Sequence, residues 1–200
     1  MYNQVVMAAP SNSAFPHDVE IDGKVYGVRL APGQDWIGKA YFRLKQESLL
    51  PVFFHENPTV SLSEFLAWAM NATVLGCFAN PDDPTLDTTE LMGAVFVRNS
   101  KKIGEDLTIE VGEFFFRGVQ HRYTELFGKM GVSFCFRVLK VAAIFGVTPV
   151  NNRVGCRYPK CLGFEQLGPI PNFVGWGGKS APAILSFLTR ERWLSLQEGM

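Results

Sequence analysis

Between residues 107 and 122 the sequence crowds together groups that can carry protons or charge. Glu110 and Glu113 stand three apart in a strand-like run, Leu107 to Phe116, and Arg117, His121 and Arg122 follow at the opening of a helical pattern. A carboxylate positioned beside an amine can take its proton. A helix start ringed by cations suits an anion, because its orphan amides and dipole favour negative charge. Residues three apart on a regular strand point to opposite faces, so only one of Glu110 and Glu113 can line a given cleft. Farther on, Asn151 and Asn152 precede a short helical segment, where Asn is a ready N-cap.

The remaining chemistry-bearing residues exclude more than they suggest. Cys77, Cys135, Cys156 and Cys161 form no CxxC pair and have no accompanying His spacing, so neither a zinc site nor a disulfide framework is expected. Nineteen basic residues balance nineteen acidic ones, with no concentrated run of either sign, which argues against a nucleic-acid partner. No apolar stretch approaches the roughly 20 residues that cross a bilayer, and residues 1 to 16 lack the pattern of a secretory signal. The reading is a cytoplasmic protein with no membrane partner.

Elements must hold these residues in place. With 200 residues, 47% of them hydrophobic, the chain can bury one sizeable core. Residues 1–18 read as a flexible N-terminal arm and 19–200 as a single domain. Alternation predicts a strand from Lys24 to Leu30, and apolar spacing predicts a helix from Trp36 to Leu50, closed by Pro51. Ser61 to Glu64 is a capping box with Val60 and Phe65 as its hydrophobic staple, opening a helix to about Met70. Strands at Thr73–Ala79, Leu91–Arg98 and Leu107–Phe116 follow as an antiparallel meander, with Asn80 to Pro84 as a loop.

A helix is then predicted from Gly118 to about Phe136. Val138 to Val147, nearly all apolar, reads as a strand covered on both faces at the sheet's centre. A short helix over Arg153–Leu162 should kink or break at Pro159. Strands at Phe164–Leu167 and Ala183–Leu188, separated by a long Gly- and Pro-rich loop, complete the chain.

This order, from about Val19 to Trp193, resembles the Gcn5-related N-acetyltransferase (GNAT) family. The likeness is carried by Val141 to Asn152, a buried strand leading into Asn, and by Leu162-Gly163-Phe164 with Leu167-Gly168 after the short helix. The tail Leu188 to Trp193 is similar to the endings of GNAT-like proteins encoded by bacteria and phages. The resemblance implies an α/β (α+β) fold with a mixed, mostly antiparallel central sheet flanked by helices. It also implies that the strand at Leu107–Phe116 splays from the strand at Val138–Val147, around Gly112 and Phe145, and that acetyl-CoA enters the gap. Its pyrophosphate would then rest on Arg117, Gly118, Val119, Gln120, His121 and Arg122, and Asn151 or Asn152 would touch the cofactor. Glu110 or Glu113 would be the general base, and Gly175 to Gly178 would wall the acceptor site.

Two departures from the family pattern stand out. The pyrophosphate loop has one glycine where the family has two or three small residues, and Pro159 stands where many members carry the Tyr that protonates the departing thiolate. Tyr158, one residue earlier, is expected to point elsewhere. Two functions are therefore in view: an acyl-CoA-dependent N-acyltransferase acting on an amine-bearing acceptor, or a non-catalytic structural or assembly protein of a phage particle. The second would place the chain among virion proteins or in a homo-oligomer.

Overall fold

The computed structural model describes residues 18–30, 34–57, 59–79 and 90–198. The predicted arm and the Asn80–Pro84 loop lie outside these residues, apart from Asp18, which pairs with Arg29 at 2.7 Å.

Eight strands form one sheet in the order β1-β2-β3-β4-β5-β6-β8-β7. Strands β1 (Val19–Ile21) and β2 (Lys24–Leu30) are joined by a tight turn. Helices α1 (Gln34–Gln46), α2 (Leu50–Phe53) and α3 (Leu62–Met70) follow, and then β3 (Thr73–Ala79), β4 (Glu90–Ile103) and β5 (Asp106–Phe115). Next come α4 (His121–Arg137), β6 (Ala143–Pro149), α5 (Arg153–Cys161), β7 (Glu165–Trp176), β8 (Lys179–Thr189) and α6 (Arg190–Glu198). Every neighbouring pair is antiparallel except β5 and β6. The mixed, mostly antiparallel sheet and the β3-β4-β5 meander are as expected.

Strand alternation builds a core on each face. Val95, Val97 and Ile109 face α4, whose Phe127, Met130 and Phe134 are buried against them. Ala94, Phe96 and Phe114 face the other way, onto Tyr41, Leu44 and Phe65 of α1 and α3. The capping box at α3 is present: the Ser61 amide donates to Glu64 Oε2 at 2.7 Å, and the Glu64 amide donates to Ser61 Oγ at 3.3 Å. Val60 and Phe65 are both buried in the same cluster, as a staple requires.

Several boundaries move, each for a physical reason. The helix predicted to reach Leu50 ends at Gln46, and Pro51 sits in the first turn of α2, where a missing amide hydrogen costs nothing. Helix α4 starts at His121 rather than Gly118, because Gly118 adopts φ +87 in the turn that precedes it. Residues 138–142 finish α4 and turn, so β6 begins at Ala143. Most of β6 is only half-buried, in contrast to the fully covered strand predicted. Helix α5 continues past Pro159 to Cys161.

The largest correction concerns the supposed long loop. Residues 165–189 form a hairpin, β7 and β8, closed by Gly177-Gly178 at φ +58 and +77, the left-handed pair that a two-residue hairpin turn needs. Strand β7 tolerates Pro169 and Pro171 because it is the sheet's edge, and its register shifts twice near them.

Candidate active site

The site begins where two strands part company. Strands β5 and β6 share three parallel rungs, Thr108 with Ala143, Ile109 with Ile144 and Glu110 with Phe145. Beyond Glu110, β5 pairs only with β4; beyond Phe145, β6 pairs only with β8. The facing edges of Val111–Phe115 and Gly146–Pro149 therefore bound a slot with unpaired backbone groups on both sides. At its apex the backbones are still close, since a Cβ on Gly146 would stand 3.1 Å from the Val111 carbonyl oxygen. The parting of the strands matches the sequence expectation.

The slot opens beside the start of α4. Gln120 is the N-cap and offers no side-chain cap, so the His121 and Arg122 amides have no intrahelical acceptor, whereas the Tyr123 amide donates to the Gln120 carbonyl at 3.0 Å. The turn into the helix is anchored from α1: the Arg117 amide donates to Glu47 Oε2 at 2.6 Å. Arg43 in turn holds Glu47 at 2.9 Å and lies over the Phe116 ring at 4.0 Å. The Arg117 and His121 side chains are exposed, and His121 lies 3.9 Å from Glu125. Arg122 donates to Asp22 at 3.0 Å and stacks on Tyr123 at 4.6 Å. The six residues from Arg117 to Arg122 are thus together at the mouth, with Arg122 engaged toward β1 and β2. At the end of β6, Asn151 is exposed in a turn, and Asn152 caps α5 by accepting from the Gly155 amide at 2.9 Å.

The two candidate carboxylates separate as alternation requires. Glu110 accepts from Arg98 at 3.2 Å and from Asn99, and Arg98 rests over Trp68 at 4.8 Å, on the α3 side. Glu113 points to the other face, into a small cavity of about 20 Å³ lined by Val95, Val111, Gly128, Cys135, Ile144 and Leu162 among others. These apolar walls make ionisation costly and push the Glu113 carboxyl up to about 8. Burial likewise raises Cys135 to about 12, so this thiol stays protonated.

Tyr158 corrects an expectation. Instead of pointing away, its side chain crosses from α5 to α4, where the hydroxyl donates to the Thr124 carbonyl at 2.6 Å. The same hydroxyl lies near Glu113, and its pull on the carboxylate offsets only part of the rise that burial causes. Burial, and then the Glu113 charge, push Tyr158 far above the ordinary phenol range. Gly128 makes the crossing feasible, because a Cβ there would collide with the Tyr158 hydroxyl.

The opposite face of the slot is aromatic. Phe53 lies about 3.8 Å from where a Cβ of Gly112 would be, and meets Phe54, Trp68 and Phe114 edge-on at 4.9, 5.4 and 5.3 Å. Two residues on, His55 Nδ1 is 2.8 Å from the Gly175 carbonyl, and its ring stacks on Trp176. The Gly175–Gly178 segment expected to wall this side is the tip of the β7-β8 hairpin. Sequence reasoning missed His55 and the Arg43–Glu47 anchor, since neither belongs to a local motif. Among the described residues there is no cluster of His, Cys, Asp and Glu that could hold a metal ion, and no helix is long and apolar enough to cross a membrane.

Solved structures share this fold. A spermidine N-acetyltransferase from Vibrio cholerae, determined with CoA and spermine, is 14% identical, with a TM-score of 0.67, over 84% of this chain and 98% of its own. A ribosomal-protein-S5-alanine acetyltransferase from Vibrio fischeri is 15% identical, with a TM-score of 0.67, over 89% and 99%. A GNAT-family acetyltransferase from Bacillus anthracis is 12% identical, with a TM-score of 0.65, over 88% and 99%. The chain has the GNAT fold. No protein-family model and no curated protein matches the sequence. The likeness is therefore one of GNAT architecture, spanning nearly the whole of each solved chain.

Proposed function

We propose that the protein is an acyl-CoA-dependent N-acyltransferase that moves an acetyl group from acetyl-CoA to an amine. The observation that carries this reading is the parting of β5 and β6 beyond the Glu110–Phe145 rung, beside an uncapped helix start. The structurally similar Vibrio cholerae enzyme, which holds CoA and an amine, supports it.

The residues present fit the donor. Two facing strand edges with unpaired amides and carbonyls suit an amide-bearing pantetheine arm, which would join them as an added strand does. Gly118 to Arg122 would hold the pyrophosphate on first-turn amides, with the exposed Arg117 adding charge. Asn151 would approach it from the end of β6, and Asn152 would do so while capping α5. Acetyl-CoA would supply a thioester carbonyl for the amine to attack, with a thiolate as the group that departs. An edge amide of β5 would stabilise the charge developing on the carbonyl oxygen.

Tyr158 and Glu113 would return the proton. Tyr158 would release its hydroxyl proton from the Thr124 carbonyl to the sulfur, and the neighbouring Glu113 carboxyl, near 8, would resupply it. Pro159 then marks a displacement of the phenol by one residue rather than its loss. Glu110 has its oxygens occupied by Arg98 and Asn99 and acts in holding the sheet face. No feature of the fold favours the phage-particle alternative.

Titrating acetyl-CoA while following the melting temperature tests the reading. At about 100 times its dissociation constant a ligand adds about 2.7 kcal/mol of stability. Stabilisation that weakens in Arg117→Ala is expected; no response at millimolar cofactor would overturn it.

A further inference from the structure

Glu113 faces α4 and holds its proton, and Glu110 is tied to Arg98 and Asn99. Neither is left to accept the proton that an attacking amine must lose. On the α1–α3 side, two residues after the Phe53 that lies against Gly112, stands a histidine. The segment from Phe53 to Glu56 is strung between the slot and the β7-β8 hairpin. At one end Phe53 lies against Gly112, two residues past the last β5-β6 rung; at the other, Glu56 packs about 3.5 Å from a Cβ position on Gly175. His55 sits between them.

Its ring is oriented twice over. Nδ1 faces the Gly175 carbonyl at 2.8 Å, and a carbonyl can only accept, so in the neutral ring the proton sits on Nδ1. The Nε2 lone pair is then bare, and among the described residues it has no polar partner. Stacking on Trp176, with ring centroids 6.1 Å apart and planes 22° from parallel, holds the imidazole plane. A histidine whose tautomer is fixed through one nitrogen so that the other can take a proton is the arrangement general-base catalysis uses.

We propose that His55 is the general base of the acyl transfer, its Nε2 taking the proton of the acceptor amine as the nitrogen–carbonyl bond forms. This rests on the acyltransferase reading. The step balances: the amine nitrogen loses one proton to Nε2, the carbon–sulfur bond breaks, and the sulfur gains one proton from Tyr158. The two protons therefore move on opposite faces of the sheet, and the site needs no single residue to act first as base and then as acid. Trp176 beside the imidazole and Phe53 two residues before it suit an acceptor whose amine is carried on an aromatic group.

Two measurements test this. The chain has three histidines, so ¹⁵N-histidine spectra resolve them, and His55→Asn assigns its signal. Expected for the neutral ring is the proton on Nδ1; a neutral ring with its proton on Nε2 would overturn the proposal without any turnover assay. The second measurement is thiol release from acetyl-CoA, with water and with phenethylamine as acceptors. In His55→Asn, whose side-chain amide can still donate to Gly175, release should fall about 100-fold while the melting shift produced by CoA stays unchanged. Undiminished release would sink the role of His55. A wild-type protein that CoA does not stabilise would sink the acyltransferase reading beneath it, and the melting shift separates the two failures.

Discussion

The two faces of the slot solve the same proton problem with opposite means. On the α4 and α5 side a carboxyl faces an apolar cavity of about 20 Å³ with a phenol near it, and desolvation sets the carboxyl's proton affinity. On the α1–α3 side an imidazole is stacked between chain segments 120 residues apart, and geometry sets which nitrogen is free. Burial tunes one group, orientation the other. A single sheet can thus present an acid and a base without the two neutralising each other, because α5 and Glu113 lie on one face of it and the turn after α2 on the other.

Substitutions can break that contrast. Tyr158→Phe removes the phenol and keeps the ring that meets Phe115 at 5.9 Å. Turnover should fall about 100-fold, with a stability loss of only about 1 kcal/mol from the missing Thr124 bond; steady-state kinetics beside thermal melts checks both. Glu113→Gln keeps the size of the side chain and abolishes titration. A carboxyl raised in the folded state stabilises fully below its unfolded value of about 4.3 and loses that contribution as pH climbs through about 8. The variant should therefore gain on the wild type across that window, by on the order of 5 kcal/mol at the upper end, in denaturant melts at stepped pH. An unchanged pH slope would remove Glu113 from the cavity.

Gly128→Ala places a methyl where the Tyr158 hydroxyl lies. A cost of about 1 to 3 kcal/mol is expected, with a Tyr158 fluorescence change showing that the ring has moved. Ser61→Ala, remote from both faces, should cost about 1 kcal/mol through the lost α3 cap and leave turnover alone. Any large rate effect there would blur the comparison.

Much of the frame was legible because it is local. The Ser61–Glu64 box, the meander strands, and the alternation that parts Glu110 from Glu113 all follow from residues a few positions apart. The hairpin was missed because Pro169 and Pro171 argue against a strand unless it lies at a sheet edge, and edge position is a tertiary fact. Tyr158 was misdirected because helix phase places it one residue from the expected phenol, whereas the absence of a side chain at Gly128 lets it reach inward. His55 was invisible because its partner is a backbone carbonyl in another element, and a carbonyl carries no sequence signature.

Amide hydrogen exchange with and without CoA tests the slot itself most directly. The account predicts new protection in residues 111–115 and 146–148, whose edges face the gap, and in residues 118–122 at the helix start. CoA binding that leaves those segments exchanging at their free rate, or that protects a different strand edge, would contradict it.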